Sequence, residues 1–394
     1  MSAATKPLEG VTVLEIGQFI TGPYASLLLA DLGANVIKIE KPGSGDPFRQ
    51  FRSGTYSHTF IAFNRNKRSL TLDLTKPKAR EVFLTAAARA DVVIDNFRPG
   101  VMDKLGLGYK VLEAANPRLV VCSIAGFASD GPYRDRPSYD TVGQALSGML
   151  STLVDPNDPK ISGPTISDNV TGFYASHAVL GALYGRQKTG RGAYLEIAML
   201  EASMAFMPDM FTTYTQAGSV SGPQTRASFS HSFAFPCASG GMLAVHLSSL
   251  EKFWTGLLDV VGRPDLATDP RFISRPARID NFEALIRTLR PLFAAKSRDH
   301  WMEELRKKDV PHAPVHTIPE AMQDPEVKHL GLFHTMKHPE HGDVTIQHRP
   351  VRINGEREEN PILPPTLGEH TDSILASLGY DATDIAAMHA EKIV

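Results

Sequence analysis

Strand-like and helix-like stretches alternate through the first 125 residues, and this limits the chain more than any other feature: it specifies parallel strands joined by helical crossovers. Val11 to Ile16 reads as a buried strand, and Thr21-Gly22-Pro23 starts a helix that runs through Tyr24 to Leu32 and ends at Gly33. Asn35 to Glu40 is the next strand, followed by a polar, glycine-rich surface loop from Lys41 to Gly54. Ser69 to Leu74 alternates as a strand does, with Thr75 positioned to cap a helix carrying Ala79 to Ala90. A strand over Asp91 to Phe97, a helix over Val101 to Ala115 and a strand over Leu119 to Ile124 complete a Rossmann-like, doubly wound α/β sheet.

Beyond residue 138 the pattern turns mostly helical, with helices expected over Tyr139 to Leu150, Asn169 to Gln187 and Leu200 to Ala217, and a short strand over Ala193 to Ile197. Gly218 to Ser230 reads as a linker, and a smaller α+β domain is expected over 225–330. Pro350, Pro361, Pro364 and Pro365 predict an extended run across a surface before the closing helices. A chain of 394 residues fits about two domains.

Composition removes several functions. With 41 Lys and Arg against 43 Asp and Glu, the net charge of -2 lacks the basic excess of a general nucleic-acid binder. The start MSAATKPLEG is unlike a signal peptide, and no apolar run reaches ~18 residues, so a soluble, cytoplasmic protein with no membrane partner is expected. Cys122 and Cys237 stand far apart, which argues against a disulfide framework or a cysteine zinc site.

The first βα turn, GQFITG, lacks the GxGxxG of a dinucleotide site, and GxxxxGK[ST] is absent too. Gly17 and Gly22 either permit a tight turn or allow close approach to a ligand. Lys41, Arg98 and Lys104 follow strands at the ligand-binding edge of an open sheet, where spaced cations suit cofactor phosphates; solvated surface charge is the other reading. No GxSxG elbow occurs. His334, His338 and His341 are broken by Pro339 and Gly342, so they read as solvated turn residues and no metal is expected. Asp168 precedes a long helical pattern; there it either caps the helix or, kept ionised by the helix dipole and free N–H groups, serves as a carboxylate nucleophile.

Seven segments carry a resemblance that spans nearly the whole chain: PLEGVTVLEIGQFITGPYASLLLADLGANVIKIEKPGSGDPFR, FNRNKRSLTLDL, DVVIDNFRPGVMDKLGLGY, PSYDTVGQALSG, the Asp168 helix, KTGRG and LGEHTDSIL. The chain resembles the class III CoA-transferases, the family of formyl-CoA transferase, carnitine CoA-transferase and succinyl-CoA:dicarboxylate transferases. The resemblance implies a large domain over 1–200 completed by 345–394, a small domain over 225–330, linkers over 201–224 and 331–344, and an interlocked homodimer.

It also implies roles residue by residue. Asp168 falls on the family's nucleophile, whose carboxylate attacks an acyl-CoA thioester to give a mixed anhydride and coenzyme A thiolate, with an aspartyl-CoA thioester before CoA reaches the acceptor acid. Coenzyme A contacts fall on Ile20, Thr21, Lys41, Leu72, Asp73, Leu74, Thr75, Asn96, Phe97, Arg98, Lys104, Pro137, Ser138, Tyr139 and Asp140. Coenzyme A enters as a substrate, with no tightly bound cofactor implied. The related α-methylacyl-CoA racemase has a histidine where this chain has Tyr139; with an ordinary pKa of about 10, tyrosine makes a poor base, which favours transfer. The tetraglycine loop of formyl-CoA transferase is missing, and Ala238-Ser239-Gly240-Gly241 reads as a hairpin turn instead. That sets succinyl-CoA and a small dicarboxylate ahead of formyl-CoA and oxalate, with Arg52, Arg226 and His231 as candidate partners of the acceptor carboxylate.

Overall fold

The computed structural model describes residues 6–51, 54, 56–357 and 361–394. Its first part follows a βα rhythm: β1 (Thr12–Glu15), α1 (Thr21–Ala30), β2 (Asn35–Glu40), α2 (His58–Asn64), β3 (Lys67–Thr71), α3 (Pro77–Ala87), β4 (Val92–Asp95), α4 (Val101–Lys104), α5 (Tyr109–Ala115), β5 (Val120–Ala125), α6 (Asp140–Leu146), α7 (Ile166–Thr189), β6 (Ala193–Ala198) and α8 (Met199–Ala205). The six strands form one parallel sheet in the order β3-β2-β1-β4-β5-β6. The order reverses between β1 and β4, so neighbouring crossovers leave in opposite directions and open a crevice at the carboxyl ends of those two strands.

Because helices cover both faces, the strands are apolar at both parities. Leu14, Ile37, Leu70, Val93 and Val121 pack in one core with Phe83 of α3 and Leu112 of α5; Val13, Val36, Val92, Ile94 and Val120 pack in a second with Leu29 of α1 and Val179 of α7.

Several local expectations are corrected. Thr75 does not cap α3: its hydroxyl donates to Asp73 Oδ1 at 2.6 Å, and α3 starts at Pro77 behind Lys76. The helix expected over Val101 to Ala115 is two, because Gly106 takes φ 72° and ends the first. The helix expected over Leu200 to Ala217 divides before Pro208, which lacks the N–H that would continue it. The Lys41–Gly54 loop is no simple surface loop, since Asp46 caps a 3₁₀ turn at Pro47–Gln50 and both Asp46 and Arg49 are buried.

Contacts divide the chain into two compact units, one comprising residues up to Met149, Gly163–Met207 and Leu330–Val394, the other Leu150–Ser162 and Pro208–His329. The second unit holds α9 (Pro208–Ala217), α10 (Thr225–Ser230), β7 (Ser232–Pro236), β8 (Met242–His246), α11 (Glu251–Val261), α12 (Arg275–Asp280), α13 (Phe282–Ala294), α14 (Arg298–Lys307), β9 (His312–Pro314) and α15 (Ile318–Gln323). Its sheet is β7-β8-β9, antiparallel throughout, and residues 238–241 lie in the β7–β8 turn. Phe235 stacks on Phe293 at 4.4 Å in its core, and Trp301 donates to the Phe293 carbonyl at 2.8 Å.

After α16 (Pro325–Leu330) the chain returns to the first unit as a hairpin, β10 (Phe333–His338) and β11 (Gly342–Gln347), and ends in α17 (Thr371–Leu378) and α18 (Ala382–Ala390) against the α3 side of the sheet. The hairpin corrects the reading of His338 as a solvated turn residue: it is buried, its Nδ1 accepts from the N–H groups of Glu340 and His341, and its ring packs on Tyr56. The proline run is likewise anchored inward, with the carbonyls of Pro364 and Pro365 accepting from Tyr56 and Arg49. Among the described residues no helix is long and apolar enough to cross a membrane.

Candidate active site

The crevice at the sheet's switch point is built from backbone outward. Gly17 and Gly22 pack backbone on backbone across the β1–α1 turn: a Cβ on Gly17 would meet Gly22 Cα at 3.0 Å and Pro23 Cδ at 2.9 Å. Of the two readings of these glycines, the tight turn is therefore the one the packing requires. Across the crevice Asn96, just past β4, clamps the turn: its Nδ2 donates to the Gln18 carbonyl at 2.7 Å and to Thr21 Oγ1 at 2.9 Å, while its Oδ1 accepts from Gln18 N–H at 2.9 Å. α7 then comes in against α1 at Gly172, where a Cβ would lie 2.8 Å from the Thr21 carbonyl oxygen. One turn earlier on the same helix face, Asp168 reaches the crevice.

The resulting cleft of about 180 Å³ brings together Ile20, Thr21, Asn96, Phe97, Arg98, Pro137, Ser138, Tyr139 and Asp168. Phe19, Arg134, Arg136 and Met199 also line it. A larger cavity of about 620 Å³ shares Arg98 and Arg134 with the cleft and reaches Asp95 and Tyr194, but not Asp168.

Asp168 stands inside the first turn of α7, two residues past its start at Ile166, so the cap reading is corrected: Thr165 occupies that position. Its backbone N–H donates to Asp140 Oδ1 at 3.2 Å, and Gln144 Nε2 holds the other oxygen of Asp140 at 2.6 Å. Among the described residues the Asp168 carboxylate accepts no hydrogen bond. Burial, and then the charge of Asp140, push its pKa up to about 7. Desolvation and a like charge thus oppose the ionised form that the helix terminus favours.

The remaining predicted residues do not line the cleft. Lys41 and Asp73 form a separate patch beyond β2 and β3, where Thr75 first and Lys41 also hold the Asp73 carboxyl low. Leu72 is buried in the core and Leu74 packs against it. Thr75 and Lys104 are exposed. Arg226, exposed on α10, and His231 belong to the second unit. His231 is buried with φ 45°, its Nδ1 3.4 Å from the Ser248 carbonyl oxygen, and burial lowers its pKa. Arg52 lies outside the described residues.

Sequence reasoning missed a buried ion network beneath the cleft. Glu15 and Lys38, register partners on β1 and β2, meet at 2.7 Å; Lys67 reaches Glu15 at 2.8 Å; Lys38 reaches Asp46 at 3.0 Å; Arg49 reaches Glu40 at 2.7 Å. Burial pulls Lys38 down, but Glu15, Asp46 and Glu40 outweigh it and hold the ammonium above its usual range. Burial pushes Lys67 down to about 8, with Glu15 offsetting part of that fall and Lys38 adding to it. The available signal was the charge itself: in a sheet covered on both faces, Glu15, Lys38 and Lys67 have no solvent side to point to and must find one another.

The family model for CoA-transferase family III matches residues 8–371. The chain is 33% identical to the acetyl-CoA:oxalate CoA-transferase of Acetobacter aceti, covering 91% of this chain and 92% of that one. It is 30% identical to the succinyl-CoA:glutarate CoA-transferase of Homo sapiens, covering 99% and 90%. Among solved structures, a CaiB/BaiF family protein from Brucella suis superposes with a TM-score of 0.83 at 31% identity, covering 95% of this chain and 100% of that one.

Proposed function

Since the chain belongs to CoA-transferase family III, we propose that it moves coenzyme A from succinyl-CoA to a small dicarboxylic acid, with Asp168 as the nucleophile. The observation that carries this reading is Asp168 in the switch-point cleft, a half-buried carboxylate with no ion-pair partner among the described residues and a pKa of about 7. A carboxylate stripped of water and of counter-charge is a stronger nucleophile than a salt-bridged one, and at neutral pH a large fraction of it is ionised.

Each step conserves bonds. An Asp168 oxygen attacks the thioester carbonyl, the C–S bond breaks, and coenzyme A thiolate leaves a mixed anhydride. The thiolate attacks the aspartyl carbonyl of that anhydride, forming an aspartyl-CoA thioester and releasing succinate. The acceptor carboxylate attacks the new thioester, regenerating thiolate and a second anhydride, and the thiolate then takes the acceptor's acyl carbon and frees Asp168. No electron or net proton is consumed, and the thioester energy is kept. Arg98, Arg134 and Arg136 line the same cleft and supply the cations that phosphates and a second carboxylate call for.

The Acetobacter relative supports a second pair, acetyl-CoA and oxalate. Mass spectrometry of the CoA esters formed from succinyl-, acetyl- and formyl-CoA, each with isotope-labelled dicarboxylic acids, separates the pairs. Asp168→Ala is expected to lower transfer by at least about 10³-fold while the protein stays folded, and hydroxylamine added during turnover should leave a hydroxamate on Asp168 alone. Normal turnover in that variant would end the nucleophile reading.

A further inference from the structure

Phe19 is one of the cleft's walls and has a left-handed backbone, φ 62°, which a side chain other than glycine's adopts only when its surroundings impose it. The surroundings here are specific. Asp46 Oδ1 accepts from Phe19 N–H at 3.2 Å and from Phe48 N–H at 2.9 Å, and its other oxygen pairs with Lys38 at 3.0 Å. Lys38 in turn donates to the Gly17 carbonyl at 2.8 Å and to Glu15 at 2.7 Å. Asp46 and Lys38 are both buried, and neither touches the cleft. The consequence is visible in the rings: Phe19 meets Phe48 edge-on at 5.3 Å and Tyr139 edge-on at 5.9 Å, and Tyr139 adjoins Asp140, which holds Asp168.

We propose that Asp46, anchored by Lys38, is a positioning residue for the transfer reaction: it holds Phe19 in the left-handed conformation that sets the aromatic wall of the cleft opposite Asp168. The ion network thus does more than neutralise itself. It fixes the Gly17 carbonyl and the Phe19 N–H, while Asn96 fixes Gln18 between them, so the Gly17–Gln18 and Gln18–Phe19 peptides are both tied from outside the turn. A turn without these ties relaxes toward negative φ at residue 19 and takes the Phe19 ring with it. The inference rests on the cleft being the reaction site.

The test compares the wild-type protein with Asp46→Ala, Asp46→Asn, Phe19→Gly and the double variant Asp46→Ala/Phe19→Gly. Asp46→Ala should lower kcat about 100-fold with KM for the CoA ester moving less than about threefold, since the wall shifts but most binding contacts stay. Phe19→Gly deletes the ring itself and should lower kcat to a similar extent, and Asp46→Ala should then cost less than about threefold more in that background, because the wall it positions is already gone; loss of a merely structural ion pair would add its full cost in both backgrounds. Asp46→Asn keeps an oxygen for Phe19 N–H and should lose less than about fivefold. A folded Asp46→Ala enzyme with wild-type kcat, or an Asp46→Asn enzyme about 100-fold impaired, overturns the proposal. If wild-type protein turns over none of the donors, it is the function reading that fails. Crystal structures of the Asp46 variants then decide the positioning claim alone: residue 19 leaving the left-handed region in the alanine variant supports it, and φ staying near that of wild type overturns it.

Discussion

Two halves of the same sheet edge treat their buried acids in opposite ways. Around β1 to β3, Glu15 and Glu40 are surrounded by Lys38, Lys67 and Arg49; burial would raise both carboxyls, but the cations win and hold Glu15 at about 2 and Glu40 below its usual range. Around β4 and α7, Asp95 and Asp168 have no such cation among the described residues, and burial raises each to about 7. The first half satisfies its charges internally and becomes rigid framework. The second leaves carboxyls unneutralised beside a cleft, where such perturbed groups accompany chemistry more often than stability.

The largest expected effect breaks the paired half. Glu15→Gln leaves Lys38 and Lys67, both fully buried, short of the carboxylate they share. Removing one partner from a buried ion network costs about 3–5 kcal/mol, and urea melts should record a loss of that order. The wild-type protein carries out part of the same experiment on acidification. Glu15 is depressed from 4.5, so its contribution is fully present above that pH and is lost as pH falls toward 2. Asp168→Asn, measured identically, should leave the melt within about 1 kcal/mol of wild type. A Glu15→Gln melt equally close to wild type would erase the contrast between the halves.

The next effect sharpens the reactive half. An attacking Asp168 must be ionised, so kcat/KM should rise with pH through about 7 and level off above it. Asp140 supplies part of that elevation through its charge, while the titratable and charged side chains lining the cleft with Asp168 are Arg98, Arg134, Arg136 and Tyr139. Asp140→Asn removes the repulsion but keeps an oxygen for the Asp168 N–H, so the acid limb should move to lower pH and the ratio of activity at pH 6 to that at pH 8 should rise several-fold. A limb that stays in place would mean that burial alone sets it.

Much of the framework could be read from the residues alone, because the alternation in Ser69–Leu74 and the helix signals around Thr21 are local properties. The six-strand parallel sheet and the grouping of Ile20, Thr21, Asn96, Arg98 and Tyr139 at one crevice follow from such signals together with the family resemblance. What stayed hidden depends on distance in the chain. Lys38 in NVIKIE looks like the polar member of an alternating strand, and only the neighbouring strands reveal that its side faces Glu15 and Asp46. Asp46 looks like loop polarity until the left-handed φ of Phe19, 27 residues away, explains the bond between them. The raised pKa of Asp168 is hidden for the same reason, since the helix dipole can be read from one segment while the burial of Asp168 and the charge of Asp140 cannot.

The smallest expected effect concerns Asp95, and its sign is the informative part. Burial raises this carboxyl from 3.8 to about 7, although the Phe97 N–H at 3.2 Å and Ser123 Oγ at 3.4 Å pull the other way. A raised carboxylate pKa means that the folded state favours the protonated form. The stability Asp95 contributes is therefore greatest below about 4 and is lost as pH rises through 7, the reverse of Glu15. Asp95→Asn keeps the acceptor oxygen and cannot ionise. It should raise Tm by a few degrees at pH 8, about 1 kcal/mol after its new N–H₂ group gives back part of the gain, and should change little at pH 5. If Asp95→Asn instead lowers Tm at pH 8, the ionised carboxylate has a cationic partner in solution, and Arg98, which lines the same cavity, is the residue to substitute next. In that case Asp95 belongs with the paired acids, and Asp168 alone carries the contrast.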